Sequence, residues 1–183
     1  GFYILKDLDL IVKAMVKVTP PRYKIRLVKV LNIINNVLGQ YVRGQLLASL
    51  IVGILSTITL LALRIEFAFL LGFIAGAFNI IPFIGPYLGA IPAALAALFV
   101  SPLKALLVII AFIIIQQIDS YLIWPNIMKR QIGVHPGVAI FSLIAGGALF
   151  GWFGLILAVP TVAIIQELLK YYLVDRKKLI SSR

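Results

Sequence analysis

The 183-residue chain is 62% hydrophobic and 13% charged, with a mean hydropathy of +1.10, whereas soluble domains run about 45–50% apolar and about 25% charged. Such a composition belongs in a lipid bilayer. The net charge of +11 is segregated, at +6 over residues 1–43, zero over 44–128 and +5 over 129–183. A nucleic-acid footprint gathers Lys and Arg on one folded face; here they flank membrane-length tracts, as in cytoplasmic loops, which argues against a nucleic-acid partner. With no cysteine and a single histidine, His135, the chain has no disulfide framework, thiolate nucleophile or Cys-ligated zinc. It also lacks the paired helical histidines of a metalloprotease and the elbow serine of a hydrolase. No metal, cofactor or enzymatic activity is expected.

In chain order, Gly1-Phe2-Tyr3-Ile4-Leu5 before Lys6-Asp7 reads as the last turn of a further apolar helix, too short for a signal peptide. The chain is thus expected to be the C-terminal portion of a longer protein. Thr19-Pro20-Pro21 predicts a helix start, since proline fits a first turn. After it Arg22, Arg26, Lys29, Asn32, Asn36, Gln40 and Arg43 recur at steps of three and four, opposite Leu27, Val30, Leu31, Ile34, Leu38 and Tyr41. This basic amphipathic helix suits cytoplasmic headgroups, a neighbouring subunit or a solvated connector, making 1–43 an interfacial region. Residues 44–174 form the membrane region and 175–183 a basic cytoplasmic tail.

Residues 44–63 carry no charge and cover about 30 Å as one crossing. Residues 67–103 are also uncharged but are interrupted by Asn79-Ile80-Ile81-Pro82-Phe83-Ile84-Gly85-Pro86. The flanking pieces, 67–81 and 87–100, are short for crossings, so a hairpin that enters and returns fits as well as two crossings. A span over 105–124 follows, ending at Pro125, with Tyr121 and Trp124 suited to an interface and Lys129 and Arg130 beyond. The tract 131–166 is broken at Gly146-Gly147 and Gly151-Trp152-Phe153-Gly154, which predicts a second hairpin of 137–150 and 152–172. The predicted class is an all-α polytopic membrane protein with two Pro/Gly-broken hairpins. With residues 1–43 cytoplasmic, parity places Lys104 outside and Lys129, Arg130 and the C-terminus inside, in agreement with the basic-residue bias. A span plus an outward-opening hairpin, then a span plus an inward-opening one, is an inverted-topology arrangement found in secondary transporters. Internal similarity is slight: Ile74-Ala75-Gly76 recurs as Ile144-Ala145-Gly146, and Ile91-Pro92-Ala93 resembles Val159-Pro160-Thr161.

Asp119 is the leading candidate for ion or substrate binding, because an intramembrane carboxylate is costly unless paired, hydrated or protonated. Gln116 and Ser120 lie near it on the same helix, and the alternative is a structural pair of Asp119 with Lys129 or Arg130. Non-helical backbone at membrane depth must line a cavity or be buried in protein. The first break is therefore a second candidate, with Pro82, Gly85 and Pro86 setting the turn and Asn79 offering donor and acceptor groups. Carbonyls and helix N-termini freed there would hold a polar or anionic solute; otherwise the motif is an interfacial turn. Gly147, Gly151 and Gly154 would form the tip of the second hairpin, or let helices approach. Gln45 is expected on the cavity that Gln116 faces, with the polar site near the membrane midplane. Arg64 with Glu66, and Glu167 with Lys170, read as interfacial and helix-end pairs, and His135 before Pro136 as a helix start.

The ordered motifs Tyr41-Val42-Arg43-Gly44-Gln45, Asn79 to Pro86, Gln116-Gln117-Ile118-Asp119 with Pro125, His135-Pro136, and Gly146-Gly147, Phe150-Gly151, Gly154 and Ala158-Val159-Pro160 resemble the autoinducer-2 exporter family of permeases. The resemblance covers nearly the whole chain. It implies a multi-pass protein of the prokaryotic inner membrane with further N-terminal helices, assembled as a homo-oligomer, in family terms a pentamer. It also implies elevator-like export of autoinducer-2 or a similar small polar solute, with H+ or Na+ as coupling ion. Two rival functions are a sodium(cation)/proton antiporter using Asp119 and a non-transporting membrane scaffold.

Overall fold

A computed structural model describes residues 20–123, 126 and 135–181. All regular structure among them is helical, as the composition requires, because a backbone in hydrocarbon must bond internally. Helix α1 spans Pro21–Ala62 and opens with proline in its first turn after an extended Pro20. The sequence suggested two objects meeting at residue 43, but α1 passes through Arg43 unbroken. A lone glycine at 44 costs a helix only about 1 kcal/mol, and no proline follows to stop it. Its 42 residues measure about 63 Å at 1.5 Å per residue, twice the thickness of a hydrocarbon core. Of the predicted polar face Arg26, Lys29, Asn32, Asn36, Gln40 and Arg43 are exposed; of the predicted apolar face Tyr41 is buried and Leu27, Val30, Leu31, Ile34 and Leu38 are half-buried.

Helix α2 (Ala68–Phe78) and helix α3 (Gly85–Val100) form the first hairpin. Their 11 and 16 residues give about 16 and 24 Å, short of a crossing. The hairpin packs against α1 through glycine. A Cβ at Gly76 would lie 2.7 Å from the Ser49 carbonyl oxygen and 3.0 Å from Gly53 Cα, and one at Gly72 would strike Thr57. Non-glycine residues in the left-handed region stand at its base, Arg64 (φ 53°) and Phe67 (φ 58°), and at its tip, Phe83 (φ 65°), a conformation that bulky residues rarely adopt.

Helix α4 (Pro102–Ile118) is capped by the Ser101 hydroxyl, which accepts from Lys104 N at 3.2 Å, and continues as a π-helical turn over Asp119–Ile123. At its start Lys104 Nζ donates to the Arg64 carbonyl at 3.3 Å. The expected Arg64–Glu66 pair is not formed. Among the described residues the salt bridge is Lys170–Glu167, at 3.3 Å. Helix α5 (Pro136–Ser181) is entered at exposed His135, whose Nδ1 accepts from Gly137 N, and its backbone continues through the expected tail.

Gly151, at φ 58° and ψ −136°, breaks α5 into two arms, a conformation open essentially to glycine alone. The arms fold back on each other: a Cβ at Gly146 would lie 2.7 Å from the Gly154 carbonyl oxygen, whereas eight residues of straight helix span about 12 Å. Gly151 is therefore the tip of the second hairpin. Gly147 and Gly154, also expected there, line the seam between the arms, Gly147 against Leu155 and Gly154 against Gly146. Three stretches, Lys24–Ala62, Pro102–Ile123 and Gly137–Leu173, are long and apolar enough to cross a membrane, the last being this folded-back pair.

Gly154→Ala is expected to lower stability by about 1–3 kcal/mol through overpacking. Gly39→Ala, with nothing within 4 Å of its Cβ position, should be neutral or slightly stabilising. Thermal unfolding of the two variants in detergent checks the contrast.

Candidate functional site: a buried polar cluster between the hairpin tips

From Val37 to Leu60 one face of α1 is buried, and it carries Gln45, Ser49 and Ser56. Gln45 reaches across to the first hairpin, where its Nε2 donates to the Asn79 backbone carbonyl at 2.6 Å. On the other side Ile115 and Ile123, one turn either way from Asp119, pack with Ala48 and Val52. This turns Asp119 inward, its carboxyl group facing the Asn79 side-chain amide. The Asn79 amide and the Asp119 carboxyl make a long or misaligned contact with each other, and Gln45 Oε1 and Ser49 Oγ have no hydrogen-bond partner. All four residues are more than nine-tenths buried: Gln45 5% exposed, Ser49 6%, Asn79 3% and Asp119 8%. Buried polar atoms without partners cost about 1–3 kcal/mol each; Gln45, Asn79 and Asp119 are brought together here, while Ser49, one turn along α1 from Gln45, borders the groove between α1 and α2.

The tip itself is nearly self-sufficient. Asn79 N donates to Ala75 O, Ile80 N to Ala77 O, Ile81 N to Phe78 O, Ile84 N to Pro82 O and Gly85 N to Ile81 O, while Pro82 and Pro86 have no N–H. A Cβ at Gly85 would run into the Phe78 carbonyl, so Gly85 lets α3 close tightly on α2. The expectation of freed backbone groups at this break is thus corrected: Pro82, Gly85 and Pro86 shape a closed turn, and side chains supply the free polar atoms.

The second hairpin arrives from the opposite end of α1. Its second arm runs antiparallel to α1, with Lys29 6.0 Å from the Tyr171 ring centre and Ala158 and Val159 packed near Tyr41. Its tip reaches the first hairpin, where the Trp152 and Phe78 rings meet edge to face at 6.0 Å. Asn79 is the next residue after Phe78, so the two tips meet beside the polar cluster.

Of the side chains singled out from sequence, Asp119, Asn79 and Gln45 come together. Gln116 and Ser120 do not: Gln116 Nε2 donates to Ser120 Oγ at 3.3 Å on the exposed side of the helix, away from Gln45. Lys129 and Arg130, the alternative partners for Asp119, lie outside the described residues, as does Trp124. Ser49 and Ser56 were missed. The signal for Ser49 was its place one turn after Gln45. Counted along α4 from Lys104, Asp119 lies about 22 Å along the helix. Between α1 and α2 an apolar groove of about 640 Å³ opens outward, lined by Leu46, Ser49, Ile54, Leu61, Phe69 and Phe73 among others.

The family model described as AI-2E family transporter matches residues 1–174. The chain belongs to the AI-2E transporter family. It is 37% identical over 172 residues to YrrI of Bacillus subtilis and 38% identical over 165 residues to YueF of the same organism, both named as transport proteins. These alignments cover 94% and 90% of this chain but 49% and 45% of the relatives. The AI-2 transport protein TqsA of Escherichia coli is 38% identical over 119 residues, 64% of this chain and 35% of TqsA. The chain thus spans about half the length of the first two relatives. The family is one of membrane transporters and not of enzymes, and three long apolar helices fit a multi-pass membrane protein.

Gln45→Ala would leave the Asn79 carbonyl buried without its donor, at about 1–3 kcal/mol. Ser120→Ala, on the exposed side, should change stability by less than about 0.5 kcal/mol. Thermal unfolding in detergent, scored against the parent, checks both.

Proposed function

We propose that the chain is the transport core of a permease that moves a small polar solute by alternating access, with Gln45, Asn79 and Asp119 as the binding site. The observation that carries this reading is the meeting of two oppositely directed hairpin tips beside the buried polar side chains of Gln45, Asn79 and Asp119. The name of TqsA makes autoinducer-2 the first solute to try. An elevator-like displacement of the hairpins would expose the site alternately, in a homo-oligomer of the prokaryotic inner membrane with its C-terminus in the cytoplasm. The solute and a coupling ion, H+ or Na+, would share the site.

A specific observation favours a second reading. Asp119 is the one buried charged residue among those described, and an intramembrane carboxylate is the usual seat of ion coupling. In a cation/proton antiporter, sodium or lithium alone would collapse an imposed pH gradient.

Inverted vesicles carrying the full-length parent protein are expected to take up autoinducer-2 above empty vesicles, with a rate that responds to an imposed proton gradient. Asp119→Asn should abolish that response by removing the titrating group. Unchanged gradient dependence in the variant would remove Asp119 from the coupling step. Absence of uptake by the intact protein, together with sodium-driven collapse of the gradient, would favour antiport.

A further inference from the structure

The groove between α1 and α2 is long and narrow. It follows α1 from Leu46 to Leu61, about 22 Å at 1.5 Å per residue. A volume of about 640 Å³ spread over that length gives a mean cross-section of about 30 Å², which admits one extended hydrocarbon chain. A helix about 10 Å across needs about 80 Å². The rims keep a helix off as well. Membrane helices approach closely where the facing residues are small, and the small residues here, Gly53 and Gly76, are already taken up by the contact of α1 with α2. What stands outward is bulky: Leu50, Ile54 and Ile58 on one side and Phe69 and Phe73 on the other, all exposed.

A cation heads the groove. Arg43, Leu46, Leu50, Ile54, Ile58 and Leu61 recur at steps of three and four, which puts Arg43 on the face of α1 that lines the groove. Arg43 is exposed and immediately precedes the uncharged tract 44–63, the depth at which basic side chains meet lipid headgroups. The salt bridge among the described residues is Lys170–Glu167, so no described carboxylate neutralises Arg43. About 9 Å further along the axis, Ser49 borders the groove, and its hydroxyl has no hydrogen-bond partner. A guanidinium, then a hydroxyl, then a slot for one chain follow the order of phosphate, ester carbonyl and acyl tail in a phospholipid.

We infer that the groove between α1 and α2 is a binding site for one anionic phospholipid, with its phosphate on Arg43, its ester carbonyl at Ser49 and one acyl chain laid between Ile54 and Phe73. A guanidinium pairs with phosphate through two parallel hydrogen bonds, and basic residues beside transmembrane helices attract anionic headgroups. A zwitterionic lipid brings the same phosphate with its own cation attached, which weakens the pairing. The bound chain covers the seam where Gly53 meets Gly76 and so braces the first hairpin against α1, whatever solute the protein carries.

The test uses the full-length parent protein in phosphatidylcholine proteoliposomes containing a trace of photoreactive lipid, either phosphatidylglycerol or phosphatidylcholine, with a diazirine on one acyl chain. Labelled peptides are quantified by mass spectrometry. Peptides covering 46–61 and 69–80 are expected to take about fivefold more label from phosphatidylglycerol than from phosphatidylcholine, the preference that one headgroup-level cation confers. Arg43→Gln should bring that ratio to about one. Ile54→Trp, which fills the groove, should remove most of the phosphatidylglycerol label from both peptides. Arg43 is exposed, so its replacement leaves the packing intact, and the parent and Arg43→Gln decide the matter if Ile54→Trp fails to fold. A ratio near one in the parent, or a ratio that persists in Arg43→Gln, overturns the inference and leaves only ordinary boundary lipid. No label on either peptide also overturns it, in favour of another segment of the parent protein or a second copy covering the groove.

Discussion

The hydrogen bond from Gln45 Nε2 to the Asn79 carbonyl, 2.6 Å long and fully buried, ties the first hairpin tip to α1, the longest unbroken helix among the described residues. A broken helix end inside a bilayer has no water to satisfy it and must be satisfied by protein. Five amides of the turn bond within it, and the carbonyl of Asn79 accepts a hydrogen bond from Gln45 of α1. That reach depends on how near α2 comes to α1, which glycine decides: Gly53, Gly72 and Gly76 remove the side chains that would hold the two backbones apart. Glycine packing thus permits the approach, the approach permits the bond, and the bond holds Asn79 where its side-chain amide meets Asp119.

The π-helical turn adds the other half. It begins at Asp119, where α4 stops being regular, and places Asp119 between Ile115 and Ile123 on the side facing α1. Such irregular turns are frequent at functional sites.

Much of this architecture is legible in the sequence, because lengths of uncharged chain and Pro/Gly interruptions are governed by the bilayer and the backbone. The all-α class, the break at Asn79 to Pro86 and the reversal near Gly151 follow from those two rules. Which face of a helix points inward does not. In water, burial is read from the contrast between apolar and polar sides. In a bilayer the outward side is also apolar, so α4 has no such contrast: Ala105, Val108, Phe112 and Ile115 face in while Leu106, Ile109 and Ile113 face out, and nothing in their chemistry separates the sets. That is why Gln116 and Ser120 looked like neighbours of Asp119 in the site, though they bond to each other on the far side. It is also why Ser49 and Ser56, single hydroxyls in an apolar run, passed unnoticed. Arg43 misled for the opposite reason: a charge suggests a boundary, yet a helix carries one on its exposed side without breaking.

Both hairpins take their position from α1, and this bears on how they could move. The first is locked to it by backbone contact at glycine and by the Gln45 bond; the second lies along it through Tyr41, Ala158 and Val159, with Lys29 over Tyr171. Between the hairpins themselves the contact is the edge of Trp152 on Phe78, and an aromatic pair of this kind is worth about 0.5–1.5 kcal/mol beyond its buried area. Alternating access needs two arrangements close enough in energy for a solute to tip the balance, and a solute shifts that balance only by its differential affinity for the two. A single hydrogen bond contributes about 0.5–1.5 kcal/mol net, the same scale as the aromatic contact. A solute that bonds to the buried polar groups of Gln45, Asn79 and Asp119 when the tips are in one arrangement, and not in the other, therefore carries enough energy to part them or hold them together. Glycine-packed α1 and α2 would stay fixed through such a step, because separating them breaks the bond that keeps Asn79 satisfied.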